Sequence, residues 1–94
     1  MSLETVREEI RQIDEAIIGL IARRQGIAGT MARLKHEAKL PIHDEEQRAR
    51  VLDRVFNDAV EMRIDPVAVK KIFTILIDMS EEKQHECSGE GNLP

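Results

Sequence analysis

Arg24 stands where an apolar residue is due. The residues Leu3, Val6, Ile10, Ile13, Ile17, Leu20, Ile27, Met31 and Leu34 recur in steps of three and four with one gap, and the gap falls at position 24. A guanidinium facing a core without a partner is costly, and no acid shares this stripe. Two outcomes stand: an anionic ligand meets Arg24, or the side chain runs out to solvent or to an acid on another helix. Lys35 lies eleven residues further on, which points it within about 20° of Arg24 at about 16 Å along a helix axis. Side chains reaching on the order of 6 Å each let the pair close on one compact anion. Arg7 shares the heptad position of Lys35 but sits seventeen residues from Arg24, about 25 Å along one continuous helix. Arg7 reaches the same ligand only from a second chain running antiparallel; alone, it reads as a solvated surface residue. Together the three cations suit a small dicarboxylate.

Further along, the apolar stripe Val69, Ile72, Phe73, Leu76 and Ile77 continues by the same spacing into Ser80 and then Gln84. These two either offer neutral hydrogen bonds into a helix-lined interior or fray into solvent at a helix end. His36, His43 and His85 are scattered, and Glu81 with His85 at i, i+4 makes a helix-surface pair rather than a metal site. No nucleophile–base pair, glycine-rich phosphate loop or zinc-ligand spacing occurs. Any catalysis is therefore expected to proceed without a covalent intermediate, a metal or a cofactor.

The elements that must carry these residues follow from the same periodicity. The first stripe is a heptad seam that runs to about His36, with no proline before Pro41, and predicts a first helix about 50 Å long. A compact domain of this length has a radius of gyration of only about 12 Å. Such a helix overhangs any monomeric core, which predicts an intertwined dimer. Gly19, Gly26 and Gly29 cost up to about 1 kcal/mol each in a helix interior and mark a bend or a break, or else permit close helix approach. After Pro41, Asp44 with Gln47 three residues on resembles a capping box, and Val51, Leu52, Val55, Phe56, Ala59 and Val60 carry a second helix to about Arg63. Asp65-Pro66 then reads as N-cap and first residue of a third. The expected fold is all-α, with a long first helix and two shorter ones per chain in an intertwined helical homodimer. The domain is expected to span residues 1–86, with 87–94, aperiodic and holding two glycines, as a disordered tail.

Composition excludes several classes. The two aromatic residues are Phe56 and Phe73, and the net charge is −4, which argues against base stacking and against nucleic acid or an anionic membrane as partner. No apolar run nears the roughly 20 residues a membrane span needs. The single Cys87 and the lack of a secretory signal layout predict a reducing, cytoplasmic setting.

In the order and spacing of these pieces the chain resembles the all-helical chorismate mutases over about residues 3–86. The pieces are Val6-Arg7 through Ile13-Asp14, Leu20-Ile21-Ala22-Arg23-Arg24, Lys35, Pro41-Ile42-His43-Asp44, Ile72-Phe73 through Ile77-Asp78, Ser80 and Gln84. Each is weak alone; the set, aligned without gaps in one short chain, is specific. The resemblance implies an intertwined homodimer with chorismate as substrate and prephenate as product, within aromatic amino-acid biosynthesis. It implies that Arg24 and the partner chain's Arg7 bind the two carboxylates, Lys35 a carboxylate and the ether oxygen, Gln84 the ether oxygen, and Ser80 a carboxylate. It puts Asp44 beside the ring hydroxyl.

One position departs from the pattern. Where family members place Arg and then Glu, the Glu accepting from the ring hydroxyl, this chain has Gln47 and then Arg48. Either Gln47 takes over that contact, or Arg48 adds positive charge that strengthens carboxylate binding. Two rival functions remain open to the same sequence: an isochorismate-pyruvate lyase on the same helical fold, and a non-catalytic helical dimerisation or regulatory module.

Overall fold

Each helix starts where a short polar side chain can satisfy the free N–H groups of a first turn. In the computed structural model, which describes residues 1–88, Ser2 accepts from the Thr5 N–H at 3.1 Å and opens α1 (Leu3–Glu37). Asp44 accepts from the Gln47 N–H at 3.1 Å and opens α2 (Glu45–Glu61). Asp65 accepts from both Val67 and Ala68, with Pro66 as first residue, and opens α3 (Pro66–Cys87). The starts at Asp44 and at Asp65-Pro66 are the expected ones, and the physical cause of all three is capping. Among the described residues the chain is all-helical, without strands. Cys87 is still helical and Ser88 caps the end of α3; the rest of the expected tail, 89–94, lies outside the described residues.

The helix α1 is continuous through Gly19, Gly26 and Gly29, without a break. A Cβ at Gly29 would stand 3.4 Å from Cys87 Sγ, so this glycine serves the close approach of the end of α3. The molecule is 54 Å along its long axis with a radius of gyration of 16.6 Å, well above the roughly 12 Å of a compact chain of this length.

α3 lies between the other two helices, packing on both, while α1 and α2 do not pack on one another. The face of α1 that meets α3 is not the heptad seam. Ala28 and Ala32 are buried, and relative to Arg24 they point about +40° and +80° around the axis, whereas Met31, Ile27 and Leu34 point about −20° to −80°. The seam thus faces outward from the chain's own core: Ile13, Leu20 and Ile27 are all more than half exposed, Leu20 at 61 %. Arg24 and Lys35 fall on the boundary between the alanine stripe and the seam. Val55 and Ala59 of α2 and Gln84 of α3 are the other buried positions among the described residues.

Both interhelical turns end their helices in the same way. Leu40 N–H donates to Lys35 C=O and Lys39 N–H to His36 C=O; Ile64 N–H donates to Ala59 C=O and Arg63 N–H to Val60 C=O. These are Schellman caps, which require the left-handed conformation at the first residue past the cap. Lys39 and Arg63 take it with φ of 57° and 59°, in positions glycine usually fills.

Candidate active site

A cleft of about 660 Å³ opens where the C-terminal half of α1, the 38–44 turn, the start of α2 and the last turns of α3 converge. Its wall from α1 is Arg24, Met31, Leu34 and Lys35; from α2, Gln47, Arg48 and Val51; from α3, Ile77, Ser80, Glu81 and Gln84. Asp44 lines it at the cap of α2. Seven of the eight residues singled out from sequence therefore meet in one cleft. The eighth, Arg7, lies in the exposed N-terminal part of α1 and does not line the cleft within a single chain.

Arg24 takes neither of the bland routes. Among the described residues no acid pairs with it: it lies half-buried, its Nη1 3.5 Å from the Leu76 carbonyl and its guanidinium 5.9 Å above the Phe73 ring. Weak contacts to a carbonyl and an aromatic face hold the side chain in place while leaving its charge unneutralised. Lys35 Nζ donates to the Ile42 carbonyl at 2.6 Å, which ties the 38–44 turn to α1. An ammonium has three donors, so one bond to the turn leaves two for a ligand.

Among the described residues Gln84 is the one buried polar residue, 4 % exposed. Its Nε2 lies 3.0 Å from Ser80 Oγ, and its Oε1 is buried without a partner. An orphaned buried amide oxygen costs on the order of 1–3 kcal/mol. Turning the amide over puts Nε2 in the orphan's place and lets the Ser80 hydroxyl donate to Oε1, so an acceptor bound in the cleft selects that orientation and relieves the cost. Ser80 and Gln84 thus act as one unit on successive turns of α3.

The α2 side of the cleft is where sequence left two alternatives for Arg48 and Gln47. Arg48 is 17 % exposed, and its guanidinium faces acids of α3: Nη2 is 2.8 Å from Asp78 Oδ1 and Nη1 is 3.6 Å from Glu81 Oε1. Asp78 in particular pushes the Arg48 guanidinium further up, so its charge is permanent and largely matched. The Gln47 carbonyl accepts from Arg50 at 3.0 Å.

Glu81 was read from sequence as the partner of His85; its side chain instead contacts His43 and Arg48, because it turns into the cleft rather than along the helix surface. His43 joins Glu81 (3.0 Å) to Glu45 (2.6 Å), and these carboxylates, Glu45 foremost, raise its pKa above 6.5. Glu81 is the charged residue of the cleft lining that the sequence had not singled out as part of the site. The signal was available: four past Ile77 and three before Gln84, it continues the stripe that also reaches Ser80. Among the described residues no group of His, Cys, Asp and Glu could hold a metal ion.

The site is a largely apolar cleft between helices that carries a few fixed cations and neutral donors, in an all-helical chain. A family model, chorismate mutase type II, matches residues 6–85. A chorismate mutase of Methanocaldococcus jannaschii is 33 % identical over 84 residues, 89 % of this chain and 85 % of that protein. A bifunctional chorismate mutase/prephenate dehydratase of Aquifex aeolicus is 34 % identical over 53 residues, 56 % of this chain and 15 % of that much longer protein. The chain belongs to the chorismate mutase type II family and is an isomerase of that family. Neither the lyase nor the non-catalytic module receives support from these relatives.

Proposed function

We propose that the chain rearranges chorismate to prephenate at two composite sites of a homodimer. The observation that carries this reading is the cleft lined together by unneutralised Arg24 and Lys35 and by Gln84, whose buried amide oxygen is unpaired. In this pericyclic step the ether C–O bond breaks as a C–C bond forms in the same molecule. The protein's task is to hold the compact, pseudo-diaxial conformer and to stabilise charge that develops on the ether oxygen. Arg24 and Arg7 of the partner subunit take the two carboxylates. Lys35 serves a carboxylate and the ether oxygen, Gln84 donates to the ether oxygen, and Ser80 orients Gln84 and meets a carboxylate. Asp44, Gln47 and Arg48 form the rim on the ring-hydroxyl side.

Two features support the homodimer. The chain exposes 7440 Å², whereas a compact monomer of 10.7 kDa exposes about 5500 Å². The apolar seam of α1 is exposed at Ile10, Ile13, Ile17, Leu20, Ile27, Met31 and Leu34, and obligate dimers bury 2,000 Å² or more in total. The seam also borders the cleft through Met31 and Leu34, so the surface that pairs the chains is the surface that closes the site. Among the described residues no helix is long and apolar enough to cross a membrane, and a reducing cytoplasm suits the exposed thiol of Cys87.

The direct test is the loss of chorismate absorbance on adding the purified protein, with sedimentation equilibrium on the same sample. A dimer mass and rearrangement many orders faster than the spontaneous reaction are expected. A monomer mass, or no acceleration, would overturn the proposal.

A further inference from the structure

The cations of the cleft answer the acceptors of the substrate just proposed, its two carboxylates and its ether oxygen. Its ring hydroxyl is different: it is a donor and needs an acceptor. The acceptors lining the cleft are mostly spent. The Ile42 carbonyl takes Lys35, the Gln47 side-chain amide oxygen takes Arg50, and Gln84 is committed to the ether oxygen and Ser80. Asp44 already caps α2 through Oδ1 and is exposed, where water competes for its other oxygen.

Glu81 is in another situation. Its side chain is 22 % exposed, and both of its contacts, His43 Nδ1 at 3.0 Å and Arg48 Nη1 at 3.6 Å, fall on Oε1. Oε2 has no partner among the described residues. A carboxylate in a cleft for a dianion would repel it, and the bracket of Arg48 and His43 cancels that repulsion while fixing the carboxylate plane. Arg48 is then not a carboxylate binder: Asp78 and Glu81 hold it in place as the support of an acceptor.

We propose that Glu81, clamped through one oxygen by Arg48 and His43, accepts the hydrogen bond of the substrate's ring hydroxyl through the other and thereby sets the ring's orientation and the preference for a hydroxylated substrate. The inference rests on the chorismate reading of the site. A hydrogen bond to a charged, partly desolvated acceptor discriminates strongly against a ligand lacking the donor.

The test compares chorismate with an analogue whose ring hydroxyl is replaced by hydrogen, in the parent, Glu81→Ala, Glu81→Gln and Asp44→Ala. The parent should favour chorismate by about 10- to 100-fold in kcat/KM. In Glu81→Ala that preference should collapse to near unity, and in Glu81→Gln, whose neutral amide oxygen still accepts, it should fall part of the way. Circular dichroism reports whether each variant keeps its helices, and Glu81→Gln decides the matter if the alanine variant unfolds. Retention of the parent's preference in the folded Glu81 variants, or its loss in Asp44→Ala alone, would overturn the inference and leave the function intact. No conversion of chorismate by the parent would instead overturn the reading of the site itself.

Discussion

Lys35 works through a single ammonium that already secures the 38–44 turn, so its charge is positioned before any ligand arrives. Arg24 is likewise held by a carbonyl and a ring rather than by an acid. On the proposed reading of the site, charges fixed in this way need little reorganisation as negative charge develops on the ether oxygen, the arrangement in which one donor is worth about 10²- to 10³-fold in rate. Lys35→Ala and Arg24→Ala are therefore each expected to lower chorismate turnover by at least about 10²-fold with the sedimentation mass unchanged; turnover at the parent rate in either would refute its role. His43 supplies a pH dependence of a different kind. Its folded pKa is raised, by Glu45 first and Glu81 next, so protonation favours the folded state. That contribution is full below about pH 6.5 and fades as pH rises through the raised value. It is modest because the ring is exposed and screened. The denaturation midpoint of the parent should thus decline relative to that of His43→Gln as pH rises past neutrality, and parallel profiles would refute the link. Arg24, Lys35, Ser80 and Gln84 were legible from sequence because each interrupts or extends an apolar stripe. The Arg48–Glu81–His43 cluster was not, because it joins three elements whose relative placement no periodicity encodes.

At the scale of the elements, the starts of helices were written in single residues, Asp44 and Asp65-Pro66, because an N-cap is a local hydrogen bond. The ends were less legible. Both Schellman turns place a non-glycine residue at positive φ, where sequence offers no glycine to announce them. Arg63 makes no side-chain hydrogen bond or ion pair among the described residues and lies at the end of α2 away from the cleft. Relief of the left-handed strain outweighs the added freedom of glycine in the unfolded chain, so Arg63→Gly is expected to stabilise the fold by about 0.5–1 kcal/mol. The readout is a thermal midpoint several degrees higher with unchanged activity; a lower midpoint would mean that the arginine side chain contributes what its backbone costs. The heptad seam of α1 was equally legible as a pattern, but which neighbour it faces was not. A stripe of leucines and isoleucines announces burial without naming the partner, while the contact with α3 is made by the quieter Ala28 and Ala32.

The whole molecule follows from that division of α1 into two faces. The alanine stripe packs within one chain, the seam in the proposed homodimer meets a second, and Arg24 and Lys35 sit on the border between the two faces, where the partner helix of that dimer would run. If the partner is antiparallel, its Arg7 enters the cleft from across the interface, and the two sites of a symmetric dimer each depend on both chains. This makes a prediction that no single-chain site shares. Arg7→Ala and Lys35→Ala are each nearly inactive as homodimers, but in a mixed dimer one site collects both defects and the other has intact Lys35 from one chain and intact Arg7 from the other. Random pairing of equal amounts gives half mixed dimers, each with one good site of two, so co-refolding the two variants should restore about a quarter of the parent's specific activity. If Arg7 served the cleft of its own chain, or served none, every site in the mixture would carry a defect or none would gain from mixing. Activity that stays at the mean of the two variants after exchange would thus exclude the composite site.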